Sequence, residues 1–148
     1  MVPTFNEAER IEDTLRSLRA GGLESIVVVD GGSRDGTREL AARHADRVLE
    51  VERGLAGQLD LAAREAKGDV LLFQYADVRF PKGGGEAILK ALESRDVVGG
   101  AFSLALDSTR LCYRLIALGA RVRNRLGVGP FGDQSLFVRT EVYRRIGG

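Results

Sequence analysis

A short β-branched run that ends in an acid and a glycine turn constrains this chain more than any other feature. Residues 26–29 read Ile-Val-Val-Val, and Asp30 and the pair Gly31 and Gly32 follow directly. An apolar run without alternation is typical of a strand that is buried on both faces of a sheet. Because open α/β sheets bind ligands outside the carboxyl ends of their strands, Asp30 stands where a ligand would lie. The same segment also fits an ordinary strand–turn–helix joint in which Asp35 caps the helix, and the motif alone leaves both interpretations open.

Predicted strands and helices alternate along the rest of the chain. Strands are expected at 26–29, 47–51, 69–74, 97–104 and 135–139, and helices at 36–44, 55–66, 84–94, 109–126 and 140–146. This alternation predicts a three-layer α/β fold with a mostly parallel sheet.

The first helix is predicted from a capping pattern and an apolar face. Asn6 is placed as N-cap with Glu9 three residues further on, and Ile11, Leu15 and Leu18 share one face of the helix that follows.

The beginning of the sheet is expected to be incomplete. Only Met1 and Val2 precede Pro3, so the sequence predicts that a first central strand is missing and that a sheet edge beside 26–29 stays unpaired. Self-association into a homodimer would cover such an edge.

Composition narrows the classes of protein and of partner. The chain has 148 residues, a net charge of +1 and a single cysteine, Cys112. One domain is expected, in a reducing, cytoplasmic compartment. No apolar run approaches the roughly 20 residues of a membrane span. No aromatic stacking motif accompanies the basic residues, so no nucleic-acid partner is predicted.

Four segments in order resemble the family 2 glycosyltransferases. They are residues 3–9, the run Val-Val-Asp-Gly-Gly-Ser-Arg-Asp-Gly-Thr at 28–37, residues 67–77, and residues 132–139. The resemblance implies a Rossmann-like GT-A fold that binds nucleotide-diphospho-sugars. The fourth segment is similar to a subgroup linked to arsenosugar biosynthesis. The resemblance covers the chain from Val2 to Gly148, which implies one glycosyltransferase domain over 1–148, shortened at both ends.

The resemblance also implies a donor site. Asp30 would bind the base of a uridine diphosphate sugar, and Pro3 and Thr4 would frame that base with Glu7 nearby. A first-turn acid favoured by the helix dipole is an equal interpretation of Glu7. Arg53 is the diphosphate candidate.

A divalent cation, Mg²⁺ or Mn²⁺, is expected beside the diphosphate, with Asp77 as its protein ligand. Magnesium often binds one or two carboxylates and takes its other ligands from phosphate and water. The first acid of the family's Asp-x-Asp motif is replaced here by Tyr75, which removes one candidate ligand.

The catalytic group is the least defined part of the expected site. In the resembled family the base lies in an acidic segment beyond the position of Gly148. The resemblance makes Asp133 the strongest polar candidate near the acceptor, because in that family the segment at 132–134 precedes a strand and faces the crevice. A turn-forming aspartate is an equal interpretation of the same residue.

Two functions other than transfer stay open. Segment 55–60 lacks the further arginines and the asparagine that the resembled subgroup tends to carry next to the donor. This loss fits a nucleotide-sugar-binding remnant without catalysis. The helix predicted at 109–126 carries Arg110, Arg114, Arg121 and Arg125 on one face. These arginines fit a solvated helix face, or peripheral contact with the inner face of a membrane.

Overall fold

The computed structural model describes residues 1–103 and 135–147. Six strands are described: β1 (Val2–Thr4), β2 (Val27–Asp30), β3 (Arg47–Glu50), β4 (Val70–Phe73), β5 (Gly99–Ala101) and β6 (Leu136–Arg139). Five helices are described: α1 (Ile11–Ala20), α2 (Thr37–Ala41), α3 (Leu55–Glu65), α4 (Gly84–Ala91) and α5 (Thr140–Arg145). The alternation of strands and helices predicted from the sequence is confirmed for these ranges, with β5 shorter than expected.

A first strand is present, so the expectation of a missing one is wrong. β1 pairs in parallel with β2, with Val2 opposite Val28 and Thr4 opposite Asp30. On its other side, the α-amino group of Met1 donates a hydrogen bond of 2.8 Å to the Leu72 carbonyl. The unpaired edge that motivated a homodimer is therefore covered by β1.

The same contact joins the two halves of the sheet. The Gln74 amide donates a hydrogen bond of 3.0 Å to the Met1 carbonyl, and the two bonds together have the pattern of parallel neighbours. Two three-stranded sheets, with the strand orders β3-β2-β1 and β4-β6-β5, are thus joined through the two hydrogen bonds of Met1. Burial lowers the pKa of the Met1 amino group to about 5.

One described strand runs against the others. β6 pairs antiparallel with β4 and with β5, whereas β1, β2 and β3 are mutually parallel. The mostly parallel sheet predicted from the sequence is confirmed, and β6 is its exception.

Two apolar clusters lie on opposite faces of the sheet, as three layers require. Val28 belongs to one cluster and its neighbours Val27 and Val29 to the other, which is the alternation expected of a strand buried on both faces. Helices α1, α2 and α4 contribute to the first cluster, and α3 and α5 to the second. Ile11, Leu15 and Leu18 are buried as predicted.

The first helix begins later than its capping pattern predicts. It starts at Ile11 with Arg10 as N-cap, so the capping box of Asn6 and Glu9 is wrong. Asn6 has a φ of 55°, and its side chain accepts a hydrogen bond of 3.0 Å from the Arg34 amide. A contact with a distant loop thus replaces the local cap.

No helix in the described ranges is long and apolar enough to cross a membrane.

Candidate functional site

The loops that follow β1 and β2 are joined by side-chain to backbone hydrogen bonds. The amide of Asn6 donates to Ser33 Oγ at 2.8 Å, and the amide of Glu7 donates to Thr37 Oγ1 at 2.8 Å. Asp35 accepts from the amides of Ala8 at 3.1 Å and of Thr37 at 3.0 Å, so it serves both the start of α2 and the neighbouring loop. These contacts build one continuous rim at the carboxyl ends of two parallel strands.

Asp30 lies beneath this rim and is fully buried. Its Oδ2 accepts hydrogen bonds from the amides of Gly32 at 2.9 Å and Ser33 at 2.7 Å. Its Oδ1 accepts from the hydroxyls of Thr4 at 3.2 Å and of Ser33. A carboxylate offers about four lone-pair sites, so the protein itself supplies four donors here. The structure places Asp30 at the strand end as expected, and it is the group that fixes the turn.

Pro3 and Thr4 form part of the floor below the rim. Both are buried, and the Thr4 carbonyl accepts hydrogen bonds from the amide of Gly31 at 2.9 Å and from Gln58 Nε2 at 2.8 Å. Pro3 also lines an apolar cavity of about 310 Å³ that continues towards Tyr75 at the end of β4.

Gln58 is turned into the protein. It is 5% exposed, and its Nε2 donates hydrogen bonds of 2.8 Å to the carbonyls of Thr4 and Val29. It therefore ties α3 to the ends of β1 and β2. A Cβ at Gly31 would lie 3.3 Å from Gln58 Nε2 and 3.4 Å from the Arg53 Cα, so glycine allows these elements to approach.

Arg53 reaches the same edge of the sheet from the loop after β3. Its guanidinium lies over the Phe5 ring, 4.0 Å from the centroid, in the range of a cation–π contact. Arg53 is exposed. The structure thus brings the diphosphate candidate to the loop that follows β1, above Asp30.

Glu7 is half-buried after β1, and its pKa responds to the charge of Asp77 beyond β4. Partial burial raises the pKa of Glu7, Arg10 opposes this shift, and the negative charges of Asp77 and Asp35 add to it. Asp77 itself is exposed just beyond β4. One exposed carboxylate with a second one close by is a donor set that suits a cation carried largely by phosphate oxygens.

That donor set does not by itself enclose a metal ion. Within 1–103 and 135–147, no group of three or more His, Cys, Asp or Glu side chains could hold one.

Gln74 is a site residue that the sequence analysis missed. It is 1% exposed at the end of β4, and its Oε1 accepts a hydrogen bond of 2.7 Å from Ser135 Oγ. Its Nε2 donates to the Val78 carbonyl at 2.6 Å. The available signal was a glutamine that directly follows an apolar strand and precedes Asp77 by three residues.

Two sets of predicted residues cannot be placed. Asp133 lies outside the described residues, and so do the four arginines of the helix predicted at 109–126. The predicted donor-site residues lie in or just beyond the carboxyl-terminal parts of β1, β2, β3 and β4, and they are Pro3, Thr4, Glu7, Asp30, Arg53 and Asp77.

Known proteins share this sequence pattern and this fold. The model of the family "Glycosyl transferase family 2" matches residues 1–144. Glycosyltransferase AglJ of Haloferax volcanii is 41% identical over 75 residues, which are 51% of this chain and 24% of AglJ. A dolichol-phosphate mannosyltransferase of Pyrococcus furiosus is 29% identical over 153 residues, covering 90% of this chain and 42% of that protein.

A solved structure extends the similarity to three dimensions. The mannosyltransferase PcManGT of Pyrobaculum calidifontis, determined in complex with GDP-Man and Mn²⁺, superposes with a TM-score of 0.74 at 26% identity. The match covers 99% of this chain and 45% of that one, so this chain spans less than half the length of each of these relatives. The Rossmann-like GT-A fold predicted from the sequence is confirmed, and the chain belongs to glycosyl transferase family 2.

Proposed function

We propose that this domain, taken as one unit over residues 1–148, transfers a sugar from a nucleotide-diphospho-sugar to an acceptor. The observation that carries the proposal is the convergence of Asp30, Arg53 and Asp77 at the carboxyl edge of the parallel strands, where α/β sheets bind ligands. The likeness to PcManGT, which was solved with GDP-Man and Mn²⁺, supports the same class of donor.

The nucleotide lies on the rim formed by the two joined loops. Uracil carries an N3–H donor, which needs a hydrogen-bond acceptor. The buried carboxylate of Asp30 at the end of β2 is the acceptor that we assign to it. Because the four bonds of Asp30 already hold Thr4, Gly32 and Ser33, a base would share the carboxylate with these donors. Asp30 therefore serves the base site mainly by fixing its shape, and UDP is the expected nucleotide.

Arg53 binds the diphosphate. Its guanidinium is exposed and held over Phe5, and a planar guanidinium pairs with phosphate oxygens through two parallel hydrogen bonds. The Phe5 ring limits the directions in which Arg53 can point, which lowers the entropy cost of the contact.

Asp77 holds the divalent cation, with Glu7 close by. When bound, Mg²⁺ or Mn²⁺ stabilises the negative charge that the leaving diphosphate gains. The contribution of the chain is to keep Asp77 exposed at the mouth of the cleft and to leave the remaining coordination positions to phosphate and water.

Transfer is expected to invert the configuration of the sugar. In that case an acceptor hydroxyl attacks opposite the leaving diphosphate and gives up its proton to a base, which contributes typically 10²–10⁴-fold in rate. Asp133 is the proposed base within this chain. Membership of the subgroup similar at 132–139 stays a prediction, as does peripheral membrane contact through the arginine helix.

Calorimetric titration with UDP and with GDP, each with and without Mn²⁺, tests the donor site. Mn²⁺ is expected to raise the affinity of the wild type, and Asp77→Asn is expected to remove most of that gain. Asp69→Asn is the matched control, because Asp69 is equally exposed but precedes β4 at the opposite end. Equal affinity with and without Mn²⁺ contradicts the proposed cation, and the absence of binding by either nucleotide contradicts the proposed function.

Release of sugar from UDP- and GDP-sugars separates transfer from binding alone. Metal-dependent nucleotide binding with no sugar released on addition of candidate acceptors supports a binding remnant. Release that Asp133→Asn lowers by about 10²-fold or more supports Asp133 as the base.

A further inference from the structure

Gln74 is a buried polar residue that the proposed function does not use. Buried amide groups need hydrogen-bond partners on both their donor and acceptor sides. The carbonyl of Val78 can only accept, so the amide NH₂ of Gln74 must face it at 2.6 Å. That orientation leaves Oε1 to accept the hydrogen bond of 2.7 Å from Ser135 Oγ. The side chain of Gln74 thus joins two segments that are far apart in sequence.

The first segment is residues 75–78, here called the cation loop, which contains Asp77. It turns back on itself through a hydrogen bond of 3.2 Å from the Val78 amide to the Tyr75 carbonyl. The Ala76 carbonyl accepts a hydrogen bond of 2.6 Å from Thr14 Oγ1 of α1. Asp77 is therefore flanked by two anchored carbonyls, one held by α1 and the other by Gln74.

The second segment is the start of β6. Ser135 is 3% exposed and has a φ of 49°, a backbone conformation that is uncommon for a residue other than glycine. Such a conformation persists only when the surroundings hold it. The hydrogen bond from Ser135 to Gln74 is one such restraint. Ser135 follows Asp133 by two residues in the sequence.

We propose that Gln74 is a positioning residue that locks the cation loop to the start of β6. The two hydrogen bonds of Gln74 hold Asp77 in the position from which it contacts the cation and the diphosphate. The gain in nucleotide affinity that Mn²⁺ provides therefore depends on Gln74, although Gln74 touches neither ligand. The inference rests on the proposed function.

Three variants separate the contributions of the two hydrogen bonds that Gln74 makes. Gln74→Glu keeps an acceptor for Ser135 but loses the donor to Val78. Ser135→Ala keeps that donor and loses only the bond to β6. Gln74→Leu removes both bonds at similar volume.

Thr140→Val is the matched control for these variants. Thr140 is buried, and its Oγ1 donates a hydrogen bond of 2.6 Å to the Gly68 carbonyl. It thereby joins the end of β6 to the residues before β4, at the edge of the sheet opposite the cleft.

The first readout is the ratio of affinities with and without Mn²⁺, measured by calorimetry for whichever of UDP and GDP binds more tightly. Gln74→Glu and Gln74→Leu are expected to lower this ratio by about 2- to 10-fold, the range of one or two net hydrogen bonds. Ser135→Ala is expected to lower it less. Thr140→Val is expected to lower the melting temperature and to leave the ratio unchanged, since a purely structural role affects stability alone.

The second readout needs no ligand. Hydrogen exchange at the Val78 amide, followed by NMR, is expected to be faster in both Gln74 variants and unchanged in Thr140→Val. A wild type whose nucleotide affinity ignores Mn²⁺ overturns the proposed function, and exchange at Val78 then still decides whether Gln74 holds the loop. If the wild type depends on Mn²⁺ but the Gln74 variants keep its ratio of affinities, the inference is overturned and the proposed function still holds. The same conclusion follows if these variants keep the wild-type exchange rate at the Val78 amide.

Discussion

The guanidinium of Arg53 lies 4.0 Å from the centroid of the Phe5 ring. This contact connects the loop after β3 to the loop after β1 and crosses the end of β2, where Asp30 lies. The loops after β1 and β2 are also joined by backbone to side-chain hydrogen bonds. The proposed donor cleft is therefore assembled by loops that hold one another.

Phe5→Leu is expected to weaken nucleotide binding without unfolding the protein. An exposed cation–π contact contributes about 0.5–1 kcal/mol, so the affinity for UDP should fall by about 2- to 5-fold. Phe5→Tyr, which keeps an aromatic face, serves as control and should bind like the wild type. Calorimetry measures both, and a Phe5→Leu variant with unchanged affinity would show that the ring does not orient Arg53.

Asp30→Ala is expected to destabilise the fold as well as the site. The substitution leaves the buried amides of Gly32 and Ser33 without their acceptor, at a cost on the order of 3 kcal/mol. Urea unfolding followed by circular dichroism measures the loss, with Asp69→Asn as an exposed control. A change within about 0.5 kcal/mol, the usual range of a surface substitution, would contradict a central role of Asp30 in fixing the turn.

Acid is expected to remove the stabilising contribution of Asp46. The hydrogen bond from the Ile26 amide lowers the pKa of this carboxyl below its usual range, partial burial opposes the shift, and Arg19 adds to it. A lowered folded-state pKa stabilises the fold above the unfolded value and loses that effect as the pH falls through the folded value. The difference in unfolding free energy between wild type and Asp46→Asn should therefore be constant above about pH 5 and shrink below the unfolded pKa. Urea unfolding across pH 2–7 measures this, and a difference that grows in acid would contradict it.

Gly57→Ala is expected to stabilise the protein. Gly57 lies inside α3, and a Cβ built there meets nothing within 4 Å. Alanine in a helix interior is favoured over glycine by about 0.5–1 kcal/mol. Gly99→Ala is the opposing control, because its Cβ would lie 2.5 Å from the Phe137 carbonyl oxygen. Thermal unfolding should move the two melting temperatures in opposite directions, and a stabilised Gly99→Ala would refute the close approach of β5 and β6.

Local patterns in the sequence were sufficient where the structural cause is itself local. The apolar run before Asp30 predicts β2, because a strand buried on both faces needs apolar side chains on both. The spacing of Ile11, Leu15 and Leu18 predicts the buried face of α1 for the same kind of reason. The resemblance supplied the fold, which is confirmed, and a set of donor-site residues whose roles stay predictions.

The errors occurred where a distant partner decides the outcome. Asn6 looks like a helix cap, but its side chain bonds to the Arg34 amide on another loop. β1 has three residues and includes Pro3, so nothing in its own sequence shows that it pairs with strands on both sides. Gln74 and Ser135 are 61 positions apart, and neither residue alone indicates the bond between them.

β1 gives the two sides of the cleft a common reference. Thr4 at its end bonds to Asp30 on the base side, and Met1 at its beginning bonds to Gln74 on the cation side. A tilt or shift of β1 would move Thr4, which bonds to Asp30, and Met1, which bonds to Gln74 before the cation loop, in the same direction. In the proposed donor site, the distance between the base side and the cation side therefore depends on a single short element, and we expect that adapting the site to a longer or shorter donor requires a change in β1 itself.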